Sequence, residues 1–242
     1  MMASVTYAQL GPNGRLGNQL FQLSATIGYS VKYNVPCQFP SWKYQQFFNV
    51  PSEMFGSSSS NKTLDESAFC YEEIPLHEGA LNLHGYRQSE RYFEHCKDLI
   101  RQYLTPRDMP VSDELCSIHV RRTDYLKCPT HHPVLTDEWY KQAMQLFPSD
   151  QKFRMYSDDL PWCHKTFTDP RVSIAGVGDE MEHFKLMVSH RHHIIANSTF
   201  SWWTAWLSNQ TGKKVIAPAR WFGPAYTQLD TKDLIPDAWT KL

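Results

Sequence analysis

Residues 115–126 read LCSIHVRRTDYL, an apolar run that ends in His119, Arg121, Arg122 and Asp124. Arginine carries a planar fork of five donors that suits phosphate oxygens. Neighbours on an extended strand point to opposite faces. The spacing therefore predicts that one guanidinium reaches a ligand while the other pairs with a carboxylate such as Asp124. Arg121 shares the face of His119 and is assigned the phosphate contact; Arg122 is assigned the structural role. Two surface salt bridges are the alternative, better suited to an exposed helix than to a strand end.

A second cluster, ANSTFSWW, places Ser198, Thr199 and Ser201 where a helix begins. They suit capping, and the amides of a first helical turn favour a diphosphate. A third stretch, GPNGRLGNQ, has glycines at 11, 14 and 17. It is neither the dinucleotide fingerprint nor a P-loop, and it reads equally as an ordinary strand-to-helix turn or as a close approach to a ligand. His183, His190, His192 and His193 invite a metal, but no i, i+4 pair occurs among them and no cysteine is near, so no zinc site is assigned. No Asp-x-Asp and no nucleophile elbow are present.

These clusters need elements to hold them. Val5 to Leu10 reads as a strand, followed by a Gly-rich turn and a helix through NQLFQLSATIGYSVKYN. Residues 34–80 carry less signal, with a surface loop expected at 56–62. Strands are expected at 115–120, 152–157, 171–175, 192–196 and KKVIAP, and helices at 136–146, 181–189 and SWWTAWLS, with a helix-compatible turn at DDLPWCHKTF. Alternation of this kind predicts an α/β fold with a parallel, doubly wound sheet. RRTD, SDD, NSTFS and AR follow successive strands, so they converge on the carboxyl rim where such sheets bind ligands.

The composition narrows the classes. A length of 242 residues with 41% apolar residues and eight tryptophans supports a real core. A net charge of −1 argues against a nucleic-acid coat or a polybasic membrane surface. Six cysteines at 37, 70, 96, 116, 128 and 163 show no disulfide framework, so reduced thiols and a cytoplasmic location are expected. No apolar run approaches the roughly 20 residues of a membrane span. Glycosylation triplets occur at Asn61, Asn197 and Asn209, and a glycan at Asn197 would spoil the rim.

With these motifs in place, the chain resembles the GDP-fucose-using fucosyltransferases, the α-1,2 group especially. GRLGNQLFQ (14–22), LHGYRQSERYF (83–93), IHVRRTDYL (118–126), MYSDD (155–159), HHIIANSTFSWWTAWL (192–207) and the tail APARWFGPAYTQLDTKDLIPDAW carry the likeness. The resemblance implies two Rossmann-like domains facing across a cleft (the GT-B type), inversion at the anomeric carbon, and no metal or other cofactor. It implies an acceptor-side domain over 1–110, a GDP-sugar domain over 111–222, and a tail, 223–242, that packs back on the body. Arg121, Asn18 and Arg15 are implied as catalytic. His119, Arg121, Asp158, Asp159, Asn197, Ser198, Thr199, Phe200, Ser201 and Gly17 are implied for donor binding, and Tyr86 and Gln88 for the acceptor side. The family commonly has an acidic pair before the HHIIANS segment; here Glu182-His183 stands there, which makes Glu182 the candidate for reading guanine. The partners implied are a GDP-sugar and a glycan. Other GDP-sugars, such as GDP-rhamnose, and a non-catalytic glycan-binding relative are the alternatives. No general base stands out; Glu53, Asp65 and His84 are candidates, unless bond breaking runs ahead of deprotonation.

Overall fold

The computed structural model describes residues 3–57 and 59–242. Ser58, in the serine-rich loop expected at 56–62, and the first two residues of the segment 1–110 lie outside the described residues. The chain divides into two compact units, Met1–Arg107 with Leu229–Pro236, and Asp108–Gln228 with Asp237–Leu242.

The first unit is built from β1 (Ser4–Thr6), α1 (Leu16–Tyr33), β2 (Cys37–Gln38), β3 (Lys62–Leu64), β4 (Ala80–Leu83) and α2 (Lys97–Leu104). Its four strands run parallel in the order β2-β1-β4-β3. The strand expected from Val5 to Leu10 stops at Thr6. The side chain of Asn82 takes the Ala8 N–H at 2.8 Å, and Leu10 N–H turns back to the Tyr7 carbonyl at 3.2 Å. The ladder ends because these amides find partners outside a neighbouring strand's backbone. Helix α1 is buried over most of its length and ends at Asn34, whose φ of 51° is left-handed. Gly28 on this helix lies directly against the Tyr92 carbonyl, where a Cβ would collide.

The second unit contains β5 (Asp113–Val120), α3 (Asp137–Gln145), β6 (Phe153–Ser157), α4 (Leu160–Thr166), β7 (Val172–Ile174), α5 (Glu180–Ser189), β8 (His190–Ile194), α6 (Thr199–Leu207), β9 (Val215–Ala217) and β10 (Thr240–Lys241). All strands are parallel, in the order β10-β9-β8-β5-β6-β7. Counted from β5, this is the doubly wound order of dinucleotide-binding sheets, with the direction of winding reversing between β5 and β8. The helices start where polar caps permit. Thr136, Asp159 and Asp179 accept the amides of Trp139, Trp162 and Glu182 at 3.3, 3.2 and 2.7 Å.

The two faces of this sheet differ in chemistry. One face packs Cys116, Ile118, Val120 and Met155 against Tyr140, Ala143 and Phe167 in a dry cluster. On the other, buried Ser117 meets His193 at 2.9 Å, and buried Tyr156 meets His190 at 2.7 Å. Helix α6 is apolar nearly all round, and its Trp202, Trp203 and Trp206 gather with Trp239, with ring centroids 5.1–6.2 Å apart along the chain of contacts.

Gly28→Ala is expected to lower stability by about 1–3 kcal/mol, the usual cost of forcing a methyl against backbone. Urea unfolding followed by circular dichroism measures it; a midpoint unchanged from the parent would refute the close packing of α1 on Tyr92.

Candidate active site

The carboxyl ends of β5 and β8 flank the reversal point; β5 ends in His119-Val120 and its loop opens with RRTD, while the loop after β8 runs through Asn197 and Ser198 into α6. Both arginines lie just past the end of β5, not on the strand itself. Strand alternation therefore does not orient them; the loop's own bonds do. Register pairs Val120 with Ser157, so Asp158 follows on β6 beside Arg121. One Asp158 oxygen accepts the Arg122 N–H at 2.9 Å. The other accepts the Thr123 hydroxyl at 2.6 Å and the Thr123 N–H at 3.3 Å, and pairs with Arg121 Nη1 at 3.1 Å.

The expected pairing of Arg122 with Asp124 is corrected by this geometry. Asp124 pairs instead with Arg121, at 2.7 Å from Nη2, while Arg122 pairs with Asp159 at 3.0 Å and lies 3.9 Å above the Trp162 ring. A residue three positions on can curl back to Arg121 because the loop turns into a short 3-10 stretch at Tyr125–Lys127. Arg122 has a structural setting, between a carboxylate that also caps α4 and an indole face. Arg121 is held from two sides, with a partly exposed guanidinium that retains further N–H donors.

His119 completes the rim. It is buried, its ring centroid is 5.6 Å from that of Phe200, and its Nδ1 has no hydrogen-bond partner among the described residues. Burial, reinforced by the Arg121 charge, pushes its pKa down to about 3, so the imidazole is neutral at working pH. An unpaired polar atom in a buried, uncharged ring suits a ligand contact. Phe200, next to it, packs edge-on to Phe184 at 5.2 Å.

The remaining residues expected at the donor fall into separate settings. Asn197 is buried and structural: its amide donates to the carbonyls of Pro133 and Trp221 at 3.0 Å each. Its burial leaves no room for a glycan on that triplet. Ser201 is also buried and donates inward to the carbonyls of Ala196 and Ser198 at 3.4 and 3.2 Å. Ser198 precedes α6 without capping it through its side chain; Ser198 and Thr199 are partly exposed, and the first turn holds no acid. Glu182 is exposed in the first turn of α5, with a carboxylate oxygen beside Gly178. Asp158 and Asp159 serve the arginine loop.

Arg15, Gly17, Asn18, Tyr86 and Gln88 belong to the first unit. Arg15 is exposed at the N-cap of α1 and Gly17 is buried in its first turn. Asn18 packs over Gly14, whose φ is +81°, and accepts from the buried Gln88 amide at 3.1 Å. Tyr86 is exposed on the loop after β4. Glu53 lines a hollow of about 730 Å³ with Lys43, Gln46, Asn49 and Arg107.

Tyr125 is a site residue that motif reading passed over. Its hydroxyl donates to the Asn197 carbonyl at 2.9 Å, its ring lies 5.7 Å from the Arg121 guanidinium, and it stacks on His132 at 4.8 Å. It ties the loop after β5 to the loop after β8, and only its place directly after RRTD hinted at this. The histidines of β8 disperse: His190 meets Asp113 at 2.8 Å, His192 accepts the Lys214 N–H at 2.9 Å, and His193 meets Ser117. Among the described residues no group of three His, Cys, Asp or Glu side chains could hold a metal ion, none of the six cysteines is paired, and no helix is long and apolar enough to cross a membrane.

Known proteins fit this architecture. The fold is of the GT-B type, with two Rossmann-like units: the Escherichia coli heptosyltransferase WaaC with ADP aligns over 100% of this chain and 92% of its own, with a TM-score of 0.51 at 10% identity. The chain belongs to glycosyl transferase family 11, whose pattern matches residues 58–240, and it is a glycosyltransferase. An alpha-1,2-colitosyltransferase of Escherichia coli is 29% identical over 93% of this chain and 83% of its own length. The O-antigen biosynthesis glycosyltransferase WbnK of Escherichia coli is 32% identical over 52% of this chain and 44% of its own. The galactoside alpha-(1,2)-fucosyltransferase 1 of Bos taurus is 30% identical over 55% and 45%. The chain thus spans less than half of the last two relatives.

Because folding holds the His119 pKa below its ordinary 6.5, the unfolded chain binds the extra proton as pH falls through that value, and stability falls with it. At pH 5 this one group is expected to cost about 2 kcal/mol relative to pH 7.5. Urea unfolding at both pH values should show a smaller difference in His119→Gln than in the parent.

Proposed function

We propose that this chain transfers L-fucose from GDP-fucose to a hydroxyl of a glycan, with inversion, forming an α-1,2 linkage. The observation that carries the reading is Arg121, held at the reversal point of a dinucleotide-type sheet beside a neutral buried His119 with an unpaired nitrogen. Its remaining N–H donors meet the β-phosphate and stabilise the charge that develops as GDP departs. The amino end of α6, with Ser198 and Thr199, adds a positive dipole, and its first turn holds no acid. Phe200 offers an apolar surface, and Glu182 is assigned to the guanine edge. Arg15 and Asn18 are assigned to the reacting sugar, with Gly17 allowing close approach.

Asp158 and Asp159 act through the arginines, so they position and do not bind. Charge neutralisation by Arg121 and α6 leaves no task that requires a divalent ion. Transfer is therefore expected to persist in excess EDTA; inactivation reversed by Mg²⁺ or Mn²⁺ would remove this part of the reading.

A second donor has specific support. One relative, which aligns over 93% of this chain, is named for colitose, which differs from L-fucose by one missing hydroxyl. Competition between GDP-fucose and GDP-colitose, with GDP-mannose and GDP-rhamnose as controls, distinguishes the two. A chain that binds none of them is the non-catalytic glycan-binding alternative.

Arg121→Ala should lower transfer at least 10–100-fold, since one charge-assisted hydrogen bond is worth roughly 1.5–3 kcal/mol. The far-ultraviolet spectrum should stay that of the parent. Near-normal turnover in this variant would sink the phosphate role.

A further inference from the structure

The sheet of the first unit has its own reversal point, between β1 and β4. Three of the segments that leave its carboxyl rim are the Gly-rich loop after β1, Asp65-Glu66 after β3, and His84 to Gln88 after β4. Because Leu64 and Leu83 are register partners, the residues that follow them emerge side by side. His84 Nδ1 lies 2.7 Å from Asp65 Oδ1.

The backbone beneath this pair is pinned from several directions. His84 N–H donates to the Leu64 carbonyl at 3.0 Å, and Arg87 Nη2 donates to the carbonyls of Leu64 and His84 at 3.1 and 3.2 Å. Glu66 accepts the amides of Tyr86 and Arg87 at 2.8 Å each, and the Tyr7 hydroxyl donates to the Gly85 carbonyl at 2.5 Å. Gly85 has φ +119° and Arg87 φ 51°, both in the left-handed half of the map. An exposed ion pair gives little stability, so strength of pairing does not account for so firm a seat.

The chemistry of the pair is directional. An ionised Asp65 only accepts, so it takes the Nδ1 proton and leaves the lone pair on Nε2. His84 is 37% exposed, and its Nε2 makes no hydrogen bond among the described residues. On the same loop the Gln88 Oε1 is buried without a partner among the described residues, a polar atom suited to a hydroxylated ligand. The charged and titratable groups around His84 are Asp65 and Glu66 after β3, Tyr86 and Arg87 on its own loop, and Tyr7 after β1.

We propose that His84 is the general base of the transfer, with Asp65 as its positioning residue; this rests on the glycosyl-transfer reading above. The acceptor oxygen bonds to the anomeric carbon of the nucleotide-sugar as the bond from that carbon to the β-phosphate oxygen breaks. The bonding pair leaves with the diphosphate, the acceptor's hydroxyl proton passes to His84 Nε2, and the imidazolium then releases it to solvent.

The test is steady-state transfer by the full chain, with GDP binding by calorimetry in parallel. His84→Ala should lose roughly 10²–10⁴-fold in kcat, keep its affinity for GDP, and recover partly in added imidazole. Asp65→Asn removes the charge that favours imidazolium, so the acid limb of the kcat/KM profile should move to lower pH. A His84→Ala chain within threefold of the parent, or an Asp65→Asn chain with an unmoved limb, overturns the assignment. The Asp65 variant decides the matter if His84→Ala does not fold. A parent chain that moves no sugar overturns the transfer reading too, whereas an active parent with an equally active His84→Ala overturns the base alone.

Discussion

One carboxylate organises the second unit's rim. Where β5 runs out, the chain must turn through Arg121, Arg122 and Thr123 without ladder bonds, and partly buried amides need acceptors. Asp158, delivered beside them by the β5–β6 register, takes two of those amides, a hydroxyl and a guanidinium. Everything at the rim leans on that arrangement: the aim of Arg121, the seat of Arg122 on Trp162, and the start of α4 at Asp159.

The electrical setting follows. Two arginines and three aspartates meet within one loop pair, so the rim carries no broad positive surface, in keeping with a chain of net charge −1. An anion is recognised there by directed N–H groups and by the amino end of α6, both short-ranged and geometric. Beside them the neutral His119 adds polarity without charge, because burial outweighs the nearby Asp158 carboxylate.

Much of the second unit was legible because its strands and helices alternate with clear apolar periods and polar caps. Thr136 and Asp179 cap helices close to where the pattern expected helices to begin, and Asp159 caps one where the pattern expected only a helix-compatible turn. The first unit was harder: its strands are two to four residues long, too short for periodicity to speak. β3, β4, α2 and the final β10 carried no local signal that periodicity could separate from loop. At the site, residue types pointed to the right loops, but partners did not follow from spacing. Arg122 pairs with Asp159 in place of the expected Asp124 because the β5–β6 register brings Asp158 and Asp159 beside the loop, which no local pattern encodes, while Asp124 curls back to Arg121. The joining of Asp65 with His84 was equally hidden, since the two are brought together only by the alignment of β3 with β4.

The cluster of Trp202, Trp203, Trp206 and Trp239 holds four of the chain's eight tryptophans within one small volume. Indoles this close couple their electronic transitions and exchange excitation energy. The chain thus carries its own optical probe of α6, the helix whose amino end faces the rim. A shift of that helix alters near-ultraviolet dichroism and emission without any dye attached.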